Sequence, residues 1–124
     1  MPPVFRKAFA LAAFCSLALS LPAAAQEVNV YSSRHYQYDD ELFAAFTEAT
    51  GITVNLIEGK GDELLERLKN EGANSPADVF ITVDAGMLWR AEQAGVFQSV
   101  VSDTLTQRIP ENLREPGGHW FGFS

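Results

Sequence analysis

An α/β fold with a parallel, right-handed wound sheet is predicted for this chain by three observations. Strand-like and helix-like segments alternate three times with short links between them. Each helical segment ends at a glycine: Gly51, Gly72 and Gly95. The third strand candidate, Ala77 to Val83, is a nearly continuous apolar run, the pattern of a strand covered on both faces of a parallel sheet.

The first strand is placed at Val28 to Ser33, where Val28, Val30 and Ser32 alternate with Asn29, Tyr31 and Ser33. Asp39-Asp40-Glu41 then opens a helix, with acids in its first turn and Leu42, Phe43, Phe46 and Ala49 at helical spacing. Ile52 to Ile57 is a second strand, Gly59-Lys60-Gly61 a turn, and Asp62 to Glu71 a second helix with Leu64, Leu65 and Leu68 on one face. Asn74-Ser75-Pro76 breaks the chain before the third strand, and a third helix runs from Ala85 to Ala94. Beyond Gly95 the pattern loosens into a brief extended piece at Val96-Phe97, a short helix from Ser102 to Gln107 and a loop from Ile109 to Gly118. His119 to Ser124 reads as a strand in progress without cap or polar tail, so the chain is expected to be part of a longer protein. Trp89, Trp120 and the Phe residues are assigned to the core.

Residues 1–25 are set apart from this fold. Arg6-Lys7 leads an apolar stretch from Ala8 to Leu21, followed by Pro22-Ala23-Ala24-Ala25, the pattern of a secretory signal cleaved near Ala25. The stretch is shorter than the roughly 20 residues of a membrane span. Phe14 precedes Cys15, where a lipoprotein acylation signal wants a small residue, which argues against a lipid anchor. The expected mature chain, residues 26–124, has no cysteine, so any metal it holds must be met by O and N ligands. Of nine basic residues Arg6 and Lys7 are lost, leaving seven against sixteen acidic ones and a mature net charge of −9. Such a surface repels nucleic acid and anionic lipid, and suits a monomer that handles cations or basic partners.

In an open parallel sheet, ligands collect outside the carboxyl ends of the strands. The loops there are Arg34 to Tyr38, Glu58 to Gly61 and Asp84 to Met87. The first carries an imidazole and two phenols, His35, Tyr36 and Tyr38, which makes His35 and Tyr36 a candidate half of a metal site. Arg34 has two roles open to it, holding Tyr36 as a phenolate or pairing with a bound anion, beside a plain surface ion pair. Gly59-Lys60-Gly61 lacks the spacing of a Walker loop and reads as a turn with an exposed cation. Asp84 reads as the cap of the third helix. No nucleophile elbow, H-E-x-x-H pair or dinucleotide fingerprint is present, so a binding protein is favoured over an enzyme.

The run Val30-Tyr31-Ser32-Ser33-Arg34-His35-Tyr36, followed by Gly59-Lys60-Gly61-Asp62-Glu63-Leu64-Leu65-Glu66-Arg67-Leu68, resembles the periplasmic ferric-ion-binding proteins of ABC importers. The stretch Ser75 to Gly95 and the ending Gly118-His119-Trp120-Phe121-Gly122-Phe123-Ser124 extend the similarity over essentially the whole mature chain. The resemblance implies a two-lobed, type-2 periplasmic binding-protein fold that closes on Fe(III), in some cases with a synergistic anion, and delivers it to a membrane permease. Residues 26–124 would then be the N-terminal lobe, and their isolated binding of iron is expected to be weak. His35 and Tyr36 are the implied ligands from the first loop, and the later tyrosines of the family fall beyond Ser124. Some members place a carboxylate ligand where this chain has Val83, with Asp84 one step on, so no carboxylate is carried over. The chemistry agrees: Fe(III) is hard and prefers anionic oxygen, and coordination makes a phenolate of a phenol whose free pKa is about 10. Imidazole is an acceptable neutral partner. The alternative is a relative of the same fold that binds another small solute, or has become a sensor or enzyme.

Overall fold

The computed structural model describes residues 26–123, and the signal segment read from the sequence lies outside them. Strand β1, Glu27–Ser32, is followed by helix α1, Gln37–Thr50, strand β2, Thr53–Glu58, and helix α2, Gly61–Glu71. A short 3-10 turn, Gly72–Asn74, leads to β3, Val79–Ile81, then to helix α3, Ala85–Gln93, and helix α4, Asp103–Arg108. The three strands are parallel in the order β2-β1-β3. The chain thus leaves β1 toward one side and returns on the other. That reversal puts a crevice at the carboxyl end of β1, where open α/β sheets bind ligands.

The register explains the core. Tyr31 stands opposite Ile57 on one flank and Phe80 on the other. These three share a face, on which α2 lays Leu64 and Leu68 against a Tyr31 with no exposed surface. Leu65, Met87 and the fully buried Ala91 form a second cluster between α2 and α3, closed by Phe80, Val96 and Phe97. A Cβ at Gly61 would stand 2.8 Å from Met87 Cε, the movable tip of a flexible side chain. Gly51 ends α1 at φ +73°, the left-handed cap conformation that glycine adopts without a steric penalty. None of the helices among the described residues is long and apolar enough to cross a membrane.

Four expectations need correction. The third strand is three residues long, not the seven of Ala77 to Val83, and among the described residues it pairs only with β1. It is therefore an edge, with Val79 42 % and Val83 60 % exposed, while the strand covered on both sides is β1. Asp78 truncates it: its carboxylate, not a ladder carbonyl, accepts from the Asn29 N–H at 2.8 Å. The apolar face expected on α1 is largely open, with Leu42 and Phe46 exposed and Asp39 the buried residue of that helix. Trp89 is exposed rather than core, whereas the Trp120 indole donates to Glu92 at 3.0 Å. The ending His119 to Phe123 is not a strand: a tight turn, in which Glu115 N–H donates to the Trp120 carbonyl at 3.0 Å, leaves one bridge, Arg114 to Phe121.

Candidate metal centre

The loop that carries His35 and Tyr36 is fixed at its root by both neighbouring strands. Gly59 N–H donates to the Ser32 carbonyl at 3.1 Å, and Ser33 N–H donates to the Ile81 carbonyl at 3.0 Å. The buried Ser32 hydroxyl folds the chain over, accepting from Arg34 N–H and standing 3.1 Å from the Arg34 carbonyl. Tyr36 is the N-cap residue of α1 in extended backbone, and its carbonyl accepts from Asp39 N–H at 2.9 Å. A side chain leaving this point sits at the positive end of the helix dipole, which favours a negative oxygen.

His35 and Tyr36 are both exposed at the carboxyl edge of the sheet. His35 Nδ1 lies 3.2 Å from Glu58 Oε1, and Glu58 is the last residue of β2, opposite Ser32 in the register. A carboxylate facing Nδ1 selects the tautomer with the proton on that nitrogen and leaves the Nε2 lone pair for an electrophile. Tyr36 carries the Arg34 guanidinium 4.9 Å from its ring centroid. Tyr38 is almost fully exposed. Tyr31 is withdrawn: its hydroxyl donates to the Glu71 carboxylate, with oxygens at 2.9 and 3.0 Å. Burial first, and then the adjacent Glu71, push that phenol above its ordinary range.

The neighbouring loops contribute less. Lys60 is exposed and pairs with Glu63 at 3.6 Å. The Asp84 carboxylate accepts from Met87 N–H at 2.7 Å, the cap expected from the sequence. Away from this edge, Glu92, Glu115 and His119 bring their ligand atoms within 4.8 Å of one another. Glu115 accepts from His119 N–H and lies against its Nδ1, both at 2.9 Å, and Glu92 receives the Trp120 indole. The group stitches the C-terminal segment to α3.

Sequence reasoning placed Glu58 in a strand-end loop without linking it to His35, and missed Asp39 as part of this edge. Glu58 carried a signal, a carboxylate ending a strand adjacent to β1. Asp39 read only as a first-turn acid, because its bond to Arg34 depends on how the loop folds back.

A parallel α/β sheet with an imidazole and a phenol exposed at its carboxyl edge is the setting in which open α/β folds bind ligands. The family of bacterial extracellular solute-binding proteins matches residues 28–109, and this chain belongs to it. Among its relatives is Iron uptake protein A1 of Synechocystis sp., 64 % identical over 103 residues, 83 % of this chain and 29 % of that protein. The Major ferric iron-binding protein of Neisseria gonorrhoeae is 35 % identical over 92 residues, 74 % of this chain and 28 % of its own length. A solved structure of the Trichodesmium protein IdiA (FutA), in complex with iron and citrate ligands, superimposes with a TM-score of 0.77 at 63 % identity, covering 79 % of this chain and 31 % of that one. The chain therefore spans less than a third of the length of these relatives.

Proposed function

We propose that this chain is the N-terminal lobe of the periplasmic solute-binding component of an ABC importer, which binds Fe(III) and delivers it to the inner-membrane permease. The observation that carries the reading is the pairing of a Glu58-oriented His35 with Tyr36 at the sheet's carboxyl edge. An anionic phenolate oxygen and a neutral imidazole, with no thiol in the mature chain, suit a hard trivalent ion. Similarity to proteins named for iron uptake and ferric binding supports the same cargo. In this reading residues 1–25 direct export and are removed near Ala25, and the remaining ligands are tyrosines of the second lobe. Those lie beyond Ser124. An anion such as citrate fills coordination positions that the protein leaves open. Closure of the two lobes brings the ligands together, so that affinity comes from several donors fixed at once.

Addition of chelated Fe(III) to the full-length protein is expected to produce a tyrosinate-to-iron charge-transfer band, which Tyr36→Phe removes or strongly weakens. Absence of the band from the intact protein would refute the ferric reading and favour another small solute on the same fold.

A further inference from the structure

Arg34 is held more firmly than a solvated loop cation. Its Nε donates to Asp39 Oδ2 at 3.0 Å and its Nη2 to Asp39 Oδ1 at 2.8 Å, a bidentate fork. Only 9 % of the Asp39 side chain and 24 % of the Arg34 side chain are exposed, in a loop whose other polar groups face water. The plane so fixed carries the Tyr36 ring on it, at 4.9 Å, with the Phe123 ring 5.8 Å from the same carbon. Asp39 belongs to the first turn of α1, so the guanidinium is referred to the helix and not merely to its own loop.

Resting on the ferric reading above, we propose that Arg34, locked by Asp39, is a positioning residue for Tyr36 and not the partner of a bound anion. Two of its five N–H donors, those of the Nε–Nη2 edge, are committed to Asp39, and that fork fixes the plane of the guanidinium. The face so fixed lies against Tyr36, and a ring face seats there by cation–π attraction. A tyrosine at the mouth of an open half-site would otherwise sample several rotamers, and ordering it on metal binding would cost affinity. The stack sets the ring in advance. The Phe123 ring lies 5.8 Å from the same carbon, so the C-terminal segment also approaches the clamped guanidinium.

The test uses the full-length protein, with Fe(III) affinity measured by competition over a range of citrate concentrations and the tyrosinate band recorded throughout. Arg34→Lys keeps the charge beside Asp39 but removes the planar face; Asp39→Asn releases the fork. Each is expected to weaken Fe(III) binding about ten- to a hundredfold and to shift the band, as losses of supporting groups around metal sites do. The dependence of affinity on citrate should stay that of the unaltered protein. Unchanged affinity in a folded Arg34→Lys overturns the proposal, and that variant decides the matter if Asp39→Asn does not fold. A loss that changes in size with citrate makes Arg34 an anion partner and overturns it equally. Tyr36→Phe separates the two levels. If it keeps the full band, the metal site itself is misplaced; if it loses the band while the Arg34 and Asp39 variants behave as the unaltered protein, only the positioning role fails.

Discussion

Tyr31 and Tyr36 are the same residue five positions apart, and their surroundings give them opposite roles. Tyr31 lies in the central strand with its hydroxyl on Glu71 and the Arg67 guanidinium 4.8 Å from its ring centroid. Glu71 in turn accepts from Ser75 at 2.8 Å and from Arg67, so the phenol ends in a satisfied, part-buried network. Tyr36 points its ring to solvent on the clamped Arg34. Tyr31→Phe is therefore expected to leave the iron band of the full-length protein intact while lowering stability by about 1 kcal/mol, read from urea unfolding. The strand period separates the two tyrosines in the sequence, since one falls inside the alternating run and the other behind it. The partnership with Glu71 was not legible, because it joins positions 40 residues apart that only the packing of α2 on β1 brings together. The same holds for His35 and Glu58, 23 residues apart but adjacent once β1 and β2 pair in register.

At the scale of elements, helix ends were the most readable feature, because caps are local chemistry. Asp84 and Ser102 accept from the backbone N–H three residues on, at 2.7 and 3.3 Å, and Gly51 and Gly72 follow the last turns of α1 and α2. Asp84→Ala should cost about 1 kcal/mol of stability and leave iron binding unchanged, since its carboxylate is occupied by the helix terminus. Calorimetric unfolding and the competition assay check the two halves of that statement. Strand β3 was misjudged because apolar composition reports the burial a segment suits, not the neighbours it has. Seven apolar-rich residues reduce to a three-residue edge when the partner on one side is absent from the described sheet. The open face of α1 is the same lesson: helical spacing of Leu42, Phe43 and Phe46 gave the helix, while what covers that face is not local information. In the C-terminal segment a glycine decides the path. Gly118 sits at φ +77°, and a Cβ there would stand 2.5 Å from the Val100 carbonyl oxygen. The chain must turn at that point, which prevents the strand expected from His119 onward.

The whole lobe is tuned to neutral pH by groups outside the metal edge. Burial opposes ionisation of Glu71, but donation from Ser75, Arg67 and Tyr31 outweighs it and holds the carboxyl below its ordinary range. Glu115 is held low by the backbone N–H groups of His119 and Gly117 and by the His119 ring. For both, the unfolded chain binds protons more readily, so their contribution is present above the unfolded carboxyl value of about 4.3 and is lost as pH falls through the depressed folded values. Tyr31 acts in the opposite direction. Its raised value means that its contribution is complete below about pH 10 and is lost as pH rises through the folded value. Thermal unfolding of the full-length protein should therefore give a plateau between about pH 5 and 10, with the plateau lowered and the acid limb flattened in Glu71→Gln and the alkaline limb flattened in Tyr31→Phe.

In the proposed reading the cargo is gripped at the carboxyl edge of β1 by His35 and Tyr36. Anomalous diffraction at the iron edge from crystals of the iron-loaded, full-length protein tests it most directly. The expected result is a single strong peak within bonding distance of Tyr36 Oη and His35 Nε2, facing tyrosines of the second lobe. A peak at Glu92, Glu115 and His119, or no ordered iron near the loop from Arg34 to Tyr38, would contradict it.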